Sequence, residues 1–175
     1  MKSDIIRIDN QGNGFQEALT QTEKAAQYRG LSRKECLQLR LCTEELLSLA
    51  RSVTGEMKAS FWLESEEKRF SLHLSTETVM DREKRKNLIA SATSRRNEAA
   101  NSFLGKLRDA FEEAMVVEAN AEIPEEAMDD MFNRVIEIPA WDEYEQSILR
   151  SVADEVKIAI RGRLVDMTVI KSFGE

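Results

Sequence analysis

The chain has 175 residues, 42% hydrophobic and 33% charged, with a formal net charge of −7. That length suits one domain with a sizeable core, and the composition excludes a chain disordered throughout. No apolar run approaches the roughly 20 residues a membrane-spanning helix needs. The opening MKSDIIRIDNQGNG passes from one Lys into a mixed segment without the apolar stretch of a secretory signal, so a cytoplasmic chain is expected.

Ile5, Ile6 and Ile8 predict a short strand, and the Asn10 to Gly14 stretch is turn chemistry leading into a helix from Phe15 to about Arg29. Gly30 stops that helix, and Ser32 with Glu35 makes a capping box for the next. This second helix should run from about Arg33 to Val53 with Leu37, Leu41, Leu46, Leu47, Leu49 and Val53 as a wide apolar face. Cys36 and Cys42 fall about 240° apart on it and cannot pair; both read as buried thiols. With one His and no ligand-spaced cluster, there is no case for a zinc or other metal site.

Ala59 to Glu64 and Phe70 to Ser75 alternate as a β-hairpin around the charged turn Ser65 to Lys68. Phe70, Leu72 and Leu74 share one face, which leaves His73 on the other as a surface or edge residue. From about Asp81 to Met115 the composition predicts one long or two consecutive helices. Residues Arg82 to Arg108 hold eight bases against two acids, and Asp109 to Glu145 reverses this with thirteen acids against one base. The stretch Val116 to Ala140, with Pro124 and Pro139, reads as an acidic, lid-like insertion. A helix over Trp141 to Asp154 and two strands, Val156 to Ile160 and Val165 to Ile170, close the chain.

The grouping predicts one α+β domain over 1–175: a two-layer sandwich with a mainly antiparallel, mixed sheet and helices packed on one face. Two other features point elsewhere. Gly12-Asn13-Gly14 lies between a strand and a helix but lacks the third glycine and the Lys-Ser/Thr ending of a phosphate loop. The basic block could face a polyanion, but its charges sit at mixed helical phases with little aromatic interleaving, which argues against nucleic acid.

The stretch Ile148 to Phe173 resembles the closing helix and hairpin of a GHKL domain, the family of histidine kinase-like ATPases, and the anti-sigma serine kinases within it are the closer match. The helix Leu39-Arg-Leu-Cys-Thr-Glu-Glu-Leu-Leu-Ser-Leu-Ala-Arg-Ser-Val53 is similar to the family's N-box helix. The resemblance implies that Glu44 stands at the general-base position and that Ser48, four residues on, replaces a Mg²⁺-binding Asn. Serine is a poorer ligand for a cation that demands near-octahedral oxygens. It also implies that Thr76 stands where an Asp would recognise adenine, with Glu77 in place of a glycine.

At the second glycine box the chain reads Trp141-Asp-Glu-Tyr-Glu-Gln-Ser147, with three acids where phosphates would sit. One like-charge contact at about 4 Å costs about 4 kcal/mol at an effective dielectric near 20. The implied function is therefore a degenerate anti-sigma-kinase relative acting by protein–protein interaction, with no working cofactor and only a vestigial ATP/Mg site. The implied partner is a sigma factor or an anti-anti-sigma-like protein, with a homodimer left open. One alternative is an ATP-dependent serine/threonine kinase using Glu44 as base, with Arg95, Arg96 or Lys106 recruited to phosphate. Another is a nucleic-acid-binding regulator working through the basic block.

Overall fold

A computed structural model describes residues 1–54, 58–100 and 148–174. Its elements are β1 (Ile6–Asp9), α1 (Phe15–Tyr28), α2 (Arg33–Thr54), β2 (Lys58–Glu66), β3 (Arg69–Glu77), α3 (Arg82–Ser91), a 3₁₀ turn (Glu98–Ala100), α4 (Ile148–Val152), β4 (Glu155–Arg161) and β5 (Leu164–Ser172). The five strands form one sheet in the order β1-β2-β3-β5-β4. Every pair of neighbouring strands is antiparallel, and one isolated parallel bridge joins Asn97 to Ile158. The expected α+β class, with helices against an antiparallel sheet, is what the chain adopts.

The local reasons are legible residue by residue. Gly30 takes φ +70° after α1, a conformation L-residues resist. Ser32 and Glu35 cap α2 reciprocally: the Ser32 N–H donates to Glu35 Oε2 at 2.6 Å and the Glu35 N–H to Ser32 Oγ at 3.4 Å. The β2 and β3 strands outrun the predicted hairpin. They pair from Ala59↔Thr76 to Glu66↔Arg69, so only Glu67 and Lys68 remain as the turn, with Glu67 at φ +50°.

Strand alternation decides which side chains enter the core. Phe61, Leu63, Phe70, Leu72, Leu74, Val156, Ile158, Val165, Met167 and Val169 are buried on one face of the sheet. Against them pack Ala18, Ala25 and Ala26 of α1, Leu39, Cys42, Leu46, Leu47 and Ala50 of α2, Leu88 of α3 and Leu149 of α4. Each large apolar side chain so buried contributes about 1.5–3 kcal/mol. Within the helical layer, Thr22 and Thr43 place their hydroxyls 3.1 Å apart where α1 meets α2, each also bonded to a carbonyl one turn back on its own helix.

One expectation is corrected, and two others fall only in part on the described residues. Leu37 is 58% exposed, because the leucines of α2 span a wider arc than the sheet covers. The helix after Asp81 stops at Ser91, and Ala92 turns extended; the predicted continuation to Met115 and the Val116 to Ala140 insertion lie from residue 101 onward outside the described residues. The closing helix is described only over Ile148–Val152, so the Trp141 to Ser147 junction also lies outside them.

The outer edge of β4 is covered. Along β4, the Thr93 N–H donates to the Val156 carbonyl at 2.8 Å and Thr93 Oγ1 accepts from the Val156 N–H at 2.7 Å. Farther along, Asn97 donates through Nδ2 to the Ile160 carbonyl at 3.0 Å and accepts the Ile160 N–H on Oδ1 at 2.7 Å. Beside β1, the Asp9 carboxylate gathers the N–H groups of Gln11 and Asn13 and the Asn13 side-chain amide. These bonds hold its pKa below the ordinary carboxylate value, the Asn13 side chain contributing most. The loop they shape brings Gly14 so close that a Cβ there would lie 2.1 Å from the Arg7 carbonyl oxygen.

Candidate functional site

The residues singled out by the sequence are set by two elements, α2 and β3. On α2, Leu39, Cys42, Thr43, Leu46, Leu47 and Ala50 are buried and share one arc. At about 100° per residue, Glu44 and Ser48 fall on the arc roughly opposite, and Ser48 is exposed. The Glu44 side chain, 39% exposed, lies along the helix surface, where Arg40 Nε donates to its Oε1 at 2.9 Å. The same guanidinium reaches across to Glu23 of α1, so one arginine bridges two carboxylates, Glu44 first and then Glu23, both of which raise its own pKa.

Thr76 is placed differently. It lies inside β3 rather than after it, faces the helical layer and is 3% exposed. Its hydroxyl donates to the Lys58 carbonyl at 3.1 Å, across the strand pair Ala59↔Thr76. Glu77, its neighbour, points to the other face and is exposed. The spacing of Glu44 and Ser48 correctly predicts a shared helix face, and the fold turns that face outward while Thr76 turns inward. The structure therefore brings Glu44 and Ser48 together and leaves Thr76 apart from them.

Among the described residues, two surface depressions lie at the other end of the sheet from Thr76, around the β2–β3 turn. One of ≈320 Å³ is lined by residues 66–69 with Ser172 and Phe173. The other, of ≈720 Å³, includes Lys2, Arg29, Glu64 and Arg69. Within that lining Arg29 donates to Ser65 Oγ at 3.0 Å and to the Ser65 carbonyl at 2.9 Å. Neither depression is lined by Glu44, Ser48 or Thr76.

Gly12-Asn13-Gly14 forms the Asp9-centred loop over β1, with an acceptor carboxylate at its centre rather than inward-pointing amides for a phosphate. Cys42 is buried, and desolvation pushes its thiol up to about 11; Sγ contacts the Val152 carbonyl at 3.8 Å. Cys36 is half-buried and also raised, again chiefly by burial. Neither has the lowered pKa of a reactive thiolate. Among the described residues no group of three His, Cys, Asp or Glu could hold a metal ion, and no helix is long and apolar enough to cross a membrane.

The sheet face turned away from the described helices holds what sequence reasoning missed. His73, expected as an ordinary surface residue, is half-buried: its ring stacks on Trp62 at 5.0 Å and 10°, and Nδ1 lies 3.2 Å from Thr168 Oγ1. Burial holds the imidazole below its ordinary pKa, with Lys2 adding a smaller push in the same direction against Glu64. The available signal was the hairpin register, which sets Trp62 directly across from His73. The basic side chains of α3 divide likewise: Arg85 is buried, whereas Arg82 and Lys86 are exposed and Lys84 is tied to Asp81 and the Val79 carbonyl.

No family model, curated protein or solved structure matches the chain.

Proposed function

We propose that the chain is a regulatory protein on the histidine kinase-like ATPase scaffold, a degenerate relative of the anti-sigma serine kinases that works by binding another protein. The order of elements supports the scaffold: a strand, two helices, a hairpin, a helix, then a closing helix and hairpin whose last strand pairs with β3. The observation that carries the loss of chemistry is the divergence of Glu44 and Ser48, on the outer arc of α2, from Thr76, buried under the helices with its hydroxyl engaged by Lys58. A nucleotide held between a base, a metal and an adenine acceptor needs those groups to converge on one cavity.

The test is a calorimetric and thermal-shift titration with Mg-ATP and Mg-ADP. A ligand at a hundred times its Kd stabilises a fold by about 2.7 kcal/mol, so the reading expects no shift at millimolar nucleotide. A clear shift that Glu44→Ala abolishes would overturn it in favour of a kinase. The partner class suggested by the resemblance, a sigma factor or an anti-anti-sigma-like protein, is tested by calorimetry with purified candidates.

A further inference from the structure

One cluster on the sheet face turned away from the described helices is not used by the proposed function and does not depend on it. Lys2, Trp62, His73 and Thr168 follow one another across the sheet. Lys2 Nζ lies 5.7 Å from the indole centroid, and the His73 ring stacks on the same indole. Glu64 flanks the row and holds Lys2 at 3.0 Å. Lys2 belongs to a short segment that extends the β1 side of β2: the Ser3 N–H donates to the Leu63 carbonyl at 2.9 Å, the Ser65 N–H to the Met1 carbonyl at 2.8 Å, and the Leu63 N–H to Ser3 Oγ at 2.9 Å.

We propose that the Lys2–Trp62–His73 stack is a proton-operated latch, in which protonation of His73 draws Glu64 from Lys2 toward the imidazolium and releases the Met1–Ser3 segment from β2.

The Nε2 atom of His73 is buried without a hydrogen-bond partner. A proton taken there from solvent makes both ring nitrogens donors and requires an acceptor for the second. Glu64 pairs with Ser71 and Trp62 with His73, so the Glu64 carboxylate is the diagonal same-face neighbour of the ring, and Lys2 keeps it ionised by lowering its pKa. With His73 charged, two cations adjoin one indole and share one carboxylate. The Lys2 side chain is 61% exposed and on a flexible stem, so it gives way at less cost than a half-buried ring held by Trp62 and Thr168.

Of the other charges on this face, Asp166 and Lys157 are already engaged. Asp166 of β5 accepts from Ser75 Oγ at 2.7 Å and faces Arg161 at 3.8 Å. Lys157 of β4, across Thr168, pairs with Glu155 at 3.4 Å. Arg7 of β1 lies one row away, opposite Ser60.

The chain has a single histidine, so its proton NMR titration is unambiguous. The experiment follows amide hydrogen-exchange protection factors, normalised for intrinsic exchange, alongside that titration from about pH 8 to about pH 5. Protection at Ser3, Leu63 and Ser65 is expected to fall on the order of tenfold with the midpoint of His73, while Leu72 in the sheet centre stays protected. In His73→Gln the three amides should hold constant protection. Lys2→Met should raise the His73 midpoint, because an opposing charge is removed and Glu64 is freed. Protection that ignores the His73 midpoint, or a fall that persists in His73→Gln, overturns the latch. If that variant does not fold, an unchanged His73 midpoint in Lys2→Met overturns it.

Discussion

Asn97 and Ile160 pair as two strands would: the side-chain amide donates to the Ile160 carbonyl at 3.0 Å and accepts its N–H at 2.7 Å. One side chain thus completes the outer ladder of β4 where a sixth strand would have lain. Asn97 is itself buried, so both backbone groups depend on it. Asn97→Ala leaves them unsatisfied at about 1–3 kcal/mol each. The expected outcome in urea denaturation is a midpoint shift equivalent to about 2–4 kcal/mol, with concentration-dependent association from the uncovered edge.

Glu44 and Ser48 predict the opposite. Both lie on the solvent side of α2, and the Arg40–Glu44 pair is more than a third exposed on each partner. Glu44→Ala and Ser48→Ala should each change stability by less than about 1 kcal/mol, measured by the same denaturation. A loss of about 3 kcal/mol would mean that Glu44 is held in a buried network instead.

What the sequence made legible follows from which signals are local. Alternation of Phe70, Leu72 and Leu74 announced the hairpin, and Gly30 with Ser32 and Glu35 announced the break between α1 and α2. The end of α3 at Ser91 was not readable from composition, because the bonds that pull Thr93 and Asn97 onto β4 join residues 63 apart in sequence. The spacing of Glu44 and Ser48 says that they share a face, not which one. Only the phase of Leu39, Thr43, Leu46 and Ala50 shows that the shared face points outward. Leu37 misled for a related reason, since a leucine on a helix is no evidence of a neighbour to bury it.

Gly14 has φ +78° and no room for a side chain, since a methyl group at its Cβ position would sit 2.1 Å from the Arg7 carbonyl oxygen. Gly12 has φ +87° but open space. Gly12→Ala should therefore cost only the backbone penalty of about 1–2 kcal/mol. Gly14→Ala adds a clash with main chain and should lower the thermal midpoint further, by enough to separate the two variants in calorimetry.

His73 sets a pH dependence of stability. In the unfolded chain it titrates near its ordinary value of 6.5, and in the fold burial lowers that value. Between the two the unfolded chain binds more protons, so stability is fully present above about pH 6.5, falls as pH drops through that value, and levels once the folded ring is charged. Thermal midpoints of the native chain should follow this course below about pH 6.5, and His73→Gln should flatten it. An identical pH profile in the variant would assign the loss to other groups.

The central strand β3 pairs on one side with its hairpin neighbour and on the other with β5, so that Ser75 meets Asp166 from 91 positions away. During synthesis the first three strands and both long helices emerge with the β5 side of β3 unpaired and the Phe70, Leu72 and Leu74 row only half covered. Completion of the sheet waits for β4 and β5 to leave the ribosome, and closing so distant a contact is intrinsically slow. The interval in which a chain can pair with the wrong strand is thus set by the placement of the closing hairpin, and chains cut short before it should be the ones that clump.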